Sequence, residues 1–165
     1  GVVEAKKISL DQSIMDELQK NLLIFYTGQQ RKNNKILKEQ DDSTKENKKA
    51  VLNSLHYIKE SGYKILNIVQ SGNIDDLGLM FREHWEMKKK LSSGITNSQI
   101  DSIYNVALEN GAIGGKISGA GGGGFFTFYC NKDHQKLRNA MSNLGLKELE
   151  YSFDDEGSKI ISINK

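Results

Sequence analysis

Gly115-Lys116-Ile117-Ser118-Gly119-Ala120-Gly121-Gly122-Gly123-Gly124-Phe125 decides how this chain is read, because six of its eleven positions are glycine. Glycine loses the most backbone entropy on ordering and offers a core nothing to pack. Such a run is expected where successive residues need positive φ, or where backbone must approach a ligand or another backbone more closely than a Cβ permits. A row of outward N–H groups in such a loop makes a concavity suited to an anion.

The segments flanking the loop differ in period. Ile113 to Ser118 reads as a strand, and so does Phe125 to Cys130. The second is apolar or aromatic on both faces and should be central in its sheet. Upstream, three helices follow one another. Val51, Leu55, Ile58, Ile65 and Val69 form one stripe of a long amphipathic helix broken at Ser71-Gly72-Asn73. The next starts near Asn73, carries Ile74, Leu77, Phe81, His84, Trp85 and Lys88 inward, and ends near Leu91. The third opens on a capping box, Thr96 with Gln99, and presents Ile100, Ile103, Tyr104, Ala107 and Leu108 on one face. Downstream, Asp133 caps a helix that Gly145 stops. Leu149, Tyr151 and Phe153 then alternate as a strand, and a turn at Asp154 to Gly157 leads to a last strand at 159–163.

The first third adds a strand at residues 2–8, a helix capped by Asp11, and a strand from Leu22 to Thr27 closed by Gly28. A short polar helix is expected from Arg31 to Gln40. The charged stretch Asp41 to Lys49 is its exposed end or a mobile loop. The whole is α+β: a ferredoxin-like antiparallel sheet with helices packed on one face and a helical insertion, in a single domain spanning residues 1–165.

Composition narrows the function. A length of 165 residues suffices for one core, and 37% apolar with 27% charged residues lies outside the disordered class. A net charge of +2, with Lys and Arg interspersed among Asp and Glu, argues for no nucleic-acid partner. Cys130 is the only cysteine, which excludes an intrachain disulfide and a thiolate metal cluster and makes a reducing, cytoplasmic setting the default. The longest apolar run, Leu22 to Tyr26, is too short to cross a bilayer, and the opening residues lack a signal-peptide core, so no membrane partner is expected.

Two phosphate motifs can be tested by spacing. A Walker A loop needs Ser or Thr after Gly-Lys, but Ile117 follows Gly115-Lys116, and Asn110 stands where the first glycine is required. The dinucleotide pattern is formally present at Gly119, Gly121 and Gly124, yet it must open a helix and here it opens a strand. A strand, glycine loop, strand unit remains. Lys116 and Ser118, a cation and a hydroxyl beside exposed amides, favour an anionic ligand. A wide turn or bulge against a packed helix would use the same glycines, and Lys116 is equally read as a solvated strand residue. Asp75 and Asp76 read as first-turn helix acids, not metal ligands, and no metal site can be assembled from the chain.

Lys116 to Gly124 resembles the third, C-terminal motif of the GHMP small-molecule kinases, named for galactose, homoserine, mevalonate and phosphomevalonate. Leu22 to Gly28 with Arg31, Trp85, Lys88, Gly94-Ile95-Thr96-Asn97 and Gly111 to Lys116 also fall in the pattern of that family. Its sugar 1-kinases acting on D-glycero-D-manno-heptose 7-phosphate are the most similar branch. The resemblance implies an ATP-dependent kinase that phosphorylates the anomeric hydroxyl of a sugar phosphate, with ATP and Mg²⁺ as cofactors of the full-length enzyme. It also implies that Ser118, Gly119, Ala120, Gly121, Gly122, Gly123 and Gly124 border the cleft. Gly119 to Gly122 would make contacts, Gly123 and Gly124 would set turn geometry, and Lys116, Thr27 and Arg31 would be candidates for substrate binding.

The family's ATP loop, of Pro-x-Ser-Ser-Gly-Leu type, and its substrate motif find no match here. The chain therefore resembles the C-terminal half of such a kinase. No catalytic residue is assigned to this half, and the expected partner is an N-terminal kinase domain. The isolated chain is expected to be inactive, and its exposed cleft face suggests a homodimer. A stand-alone ferredoxin-like module that binds an anionic metabolite or a partner is the alternative.

Overall fold

A computed structural model describes residues 4–5, 7–29, 35–154, 156–160 and 162. The elements run α1 (Gln12–Asn21), β1 (Leu22–Tyr26), α2 (Lys35–Lys45), α3 (Lys49–Ser71), α4 (Asp76–Lys89), α5 (Ser98–Glu109), β2 (Gly114–Ile117), β3 (Phe125–Tyr129), α6 (His134–Asn143) and β4 (Lys147–Glu148). The strands form one antiparallel sheet in the order β2-β3-β1-β4. This is the expected α+β arrangement of β-α-β-β-α-β type, with α2 to α4 inserted ahead of α5. As its aromatic sequence suggested, β3 is interior, with β2 on one side and β1 on the other.

Strand alternation divides the sheet's side chains. Leu23 and Phe25 of β1, Ile117 of β2 and Phe126 and Phe128 of β3 turn into the larger core with Ile100, Ile103 and Tyr104 of α5 and Leu137 and Met141 of α6. Phe126 and Phe128 stack with centroids 4.8 Å apart, and Trp85 of α4 meets Phe126 edge-on at 5.9 Å. Each such buried aromatic contributes about 1.5–3 kcal/mol. Residues of opposite parity, Leu22 and Tyr129, join Leu18, Ile74, Leu77 and Phe81 in a second cluster.

Helix α4 reaches β2 through glycines. A Cβ on Gly114 would lie 2.8 Å from the amide nitrogen of Arg82 and closer still to the Gly78 carbonyl, and one on Gly78 would lie 2.7 Å from the Ile113 side chain. Backbone therefore packs on backbone.

Several boundaries differ from those read in the sequence. The charged stretch after Gln40 continues α2 to Lys45, helped by the Lys45–Asp41 ion pair at 2.6 Å, four residues apart. The helix start at Arg31 lies outside the described residues. In α5 the N-cap is Asn97, whose side chain accepts from the Ile100 amide at 2.9 Å. Thr96, expected to cap, instead donates to Asp101 at 2.6 Å. Asn97 wins because its extended φ of −154° carries the side-chain oxygen to the first turn. Neither Asp11 nor Asp133 makes a side-chain cap bond.

The terminal strands are shorter than expected. Of residues 2–8, positions 2, 3 and 6 lie outside the described residues and the others are not strand. At the other end β4 covers Lys147–Glu148 alone, and pairing continues for one more bond, from the Leu149 amide to the Ile24 carbonyl at 2.8 Å. The alternation of Leu149, Tyr151 and Phe153 misled because Leu149 and Phe153 remain exposed, with only Tyr151 half-buried and donating to the Leu22 carbonyl. The turn at Asp154 forms, its carboxylate accepting from the amides of Glu156 and Gly157. Within the expected last strand at 159–163, the described residues Lys159, Ile160 and Ser162 are not strand, and positions 161 and 163 lie outside the described residues.

Gly114→Ala should lower unfolding free energy by about 1–3 kcal/mol in urea titration, since the added methyl drives α4 from β2. An unchanged midpoint would refute that packing account.

Candidate functional site: the glycine loop

Residues 118–124 connect β2 to β3, and the loop is held at three places by groups distant in sequence. At its exit, the Gly124 carbonyl accepts from both the amide and the hydroxyl of Thr27, each at 2.9 Å, and the Gly124 amide donates to the Gln29 carbonyl at 3.0 Å. In the middle, the Gly122 amide donates to the Ile95 carbonyl at 2.8 Å. At its entry, Lys88 of α4 donates to the carbonyls of Ile117, at 2.9 Å, and Gly119.

The glycines are needed for this path. Gly121 has φ +102°, and a Cβ there would lie 2.9 Å from Ile95 Cγ2 and 3.0 Å from its Cα. Gly123, at φ +137°, would set a Cβ 2.8 Å from the Gln29 carbonyl oxygen. Both close approach and left-handed backbone are therefore present.

The amide accounting follows. Gly122 and Gly124 donate to protein carbonyls, whereas the amides of Gly119, Ala120, Gly121 and Gly123 make no hydrogen bond among the described residues. Gly121 and Gly123 are buried, Gly119 is exposed and Ala120 half-buried. Two donors, those of Gly119 and Ala120, thus stand at the surface. The Ser118 hydroxyl lies 3.3 Å from that of Thr127.

The other side chains singled out in the sequence are distributed differently. Thr27 is buried and its hydroxyl is committed, donating to Gly124 and accepting from the Gln29 amide at 3.3 Å. It ties two loops together. Lys116 lies with its ammonium 5.2 Å from the centre of the Phe81 ring, and burial lowers its pKa. Arg31 lies outside the described residues. Among the described residues no group of three or more His, Cys, Asp or Glu could hold a metal, and no helix is long and apolar enough to cross a membrane.

The sequence did not identify Gln29 and Ile95 as loop supports; it placed Lys88 on an inner helix face and set Lys88 and Ile95 in the family pattern without a role for either. Gln29 and Ile95 act through backbone carbonyls, which every residue type possesses, so no residue-specific signal could have marked them. For Lys88 a signal existed: a lysine on the apolar stripe with Trp85 needs a partner for its charge.

Burial, with the charges of Lys116 and Lys88 adding to it, pushes the His84 imidazole down to about 4. Its Nδ1 lies 3.4 Å from the Ser61 hydroxyl. His84 is thus neutral near pH 7 beside two lysines.

The residues 65–147 match the family model described as GHMP kinases C terminal, and the chain belongs to that family. It is 28% identical over 148 residues to the D-glycero-alpha-D-manno-heptose 7-phosphate kinase of Campylobacter jejuni, covering 88% of this chain and 43% of that protein. It is also 28% identical, over 84% of its length, to the L-fucokinase/L-fucose-1-P guanylyltransferase of Bacteroides fragilis, of which it covers 15%. A D-glycero-D-manno-heptose 1-phosphate kinase structure from Bacteroides thetaiotaomicron shares the fold with a TM-score of 0.64 at 22% identity, over 98% of this chain and 42% of that one. The chain spans less than half the length of the curated relatives it matches.

Gly121→Val should cost about 2–3 kcal/mol in urea titration, since strain at positive φ adds to the clash with Ile95. A second expectation concerns pH. The unfolded His84 takes up a proton near pH 6.5 while the folded one resists until about pH 4, so its contribution to stability falls as pH drops through that window. Melting temperatures measured from pH 7 to 4.5 should fall less steeply for His84→Asn than for the unsubstituted chain. Parallel curves would contradict this.

Proposed function

We propose that this chain is the C-terminal half of an ATP-dependent sugar kinase that transfers the γ-phosphate of ATP to the anomeric hydroxyl of a sugar phosphate such as D-glycero-D-manno-heptose 7-phosphate. The observation that carries the reading is the pair of unbonded surface amides, Gly119 and Ala120, on a loop otherwise clamped by protein. Phosphoryl transfer depends mainly on positioning and charge stabilisation, so one domain can supply amides and another the ATP loop. In the transfer the sugar oxygen bonds to the γ-phosphorus, the bond to the ADP oxygen breaks, and the hydroxyl proton leaves to a base outside this half.

The loop from Ser118 to Gly124 borders the cleft, with the Gly119 and Ala120 amides facing phosphate oxygens. The remaining loop residues maintain its shape. Thr27 supports the loop from beneath, Arg31 holds the distal phosphate of the sugar through paired hydrogen bonds, and Lys116 adds positive charge behind β2. Mg²⁺, held by the nucleotide phosphates and one or two carboxylates, we assign with most of the ATP site to the N-terminal domain. Partnership with that domain leaves the sugar phosphate as the small-molecule ligand. Pairing into a homodimer and a cytoplasmic setting belong to the same reading.

The test joins this chain to the N-terminal half of the Campylobacter jejuni relative and follows ADP release with heptose 7-phosphate. The joined enzyme should make the 1,7-bisphosphate and the chain alone should turn over no ATP. Sugar phosphorylation by the chain alone, or none by the joined enzyme with any hexose or heptose phosphate, would overturn the reading.

A further inference from the structure

Lys88 stands in the last turn of α4, and its ammonium donates to two carbonyls at the loop entry, those of Ile117 and Gly119. A trans peptide unit is planar, so the carbonyl of one residue and the N–H of the next point in opposite directions. Because Lys88 draws the Ile117 carbonyl toward α4, the Ser118 amide points the other way, and there it donates to the Phe125 carbonyl at 2.9 Å. The same geometry applies one residue pair later. With the Gly119 carbonyl held by Lys88, the Ala120 N–H must point away from α4, and it meets no acceptor among the described residues.

We propose that Lys88 is a positioning residue for phosphoryl transfer: by gripping the Ile117 and Gly119 carbonyls it aims the Ala120 amide at the oxygens of the transferring phosphoryl group. This rests on the kinase reading above. Gly119, at φ +78°, has no Cβ to limit rotation of this peptide about its own ψ, so the grip of Lys88 on the carbonyl fixes the direction of the Ala120 amide. An ammonium suits the task because it donates to two carbonyls at once through charge-assisted bonds and leaves positive charge beneath the loop. Trp85, three residues earlier on the same helix, is fully buried and fixes the turn that carries Lys88.

The experiment compares Lys88→Met, Lys88→Gln and Lys88→Arg in the joined two-domain enzyme by steady-state kinetics and melting temperature. Loss of one preorganised oxyanion donor costs roughly 10²–10³ in kcat. Lys88→Met should therefore lower kcat at least tenfold while the KM for the sugar phosphate stays within threefold. Lys88→Arg, which keeps charged donors, should recover most of the rate, with Lys88→Gln between them. If Lys88→Met fails to fold, the ratio of Arg to Gln decides the matter in the same way. A methionine variant with unaltered kcat, or an arginine variant as slow as the others, would overturn the role of Lys88. An inactive parent enzyme would instead overturn the kinase reading and this role with it.

Discussion

The close approach of α4 to β2 is the constraint on which the rest depends. Gly78 and Gly114 leave no side chain between helix and strand, so α4 runs along the sheet edge at backbone contact. That approach places Trp85 in the core against Phe126 and brings Lys88 within hydrogen-bond reach of the loop entry. It also carries residues 92–97, which follow α4, under the loop, where Ile95 accepts from Gly122. A side chain at Gly114 would disturb the core and the loop together, because both are positioned by one helix.

The loop itself shows how a glycine-rich segment becomes a defined surface. Its entropy cost is offset by backbone hydrogen bonds to Gln29, Ile95 and Thr27 and by the ammonium of Lys88, drawn from three separate parts of the chain. Once these are made, the amides of Gly119 and Ala120 remain at the surface as donors. The loop is thus held at its entry, middle and exit while two of its donors stay unused.

Much of the fold was legible in residue patterns. The apolar stripe of Val51 to Val69 gave a helix ending at Gly72, and the aromatic run Phe125 to Cys130 gave an interior strand, because burial imposes periods of 3.6 and 2. The C-terminal alternation of Leu149, Tyr151 and Phe153 carried the same period without forming a strand. A strand needs a neighbour for its backbone as well as an apolar face, and pairing with β1 ends at Leu149. The loop was conspicuous for its composition, whereas the part that the Thr27 hydroxyl takes in supporting it was not legible.

By itself the sequence determined that residues 118–124 form a glycine loop between two strands of an α+β domain, since only positive φ and close approach explain that composition. The tertiary structure alone decided which loop amides are consumed and which remain, and that Lys88 faces two carbonyls. The physical reason is that bonds between distant backbone groups depend on where the chain returns in space, and every residue but proline carries the same donor and acceptor.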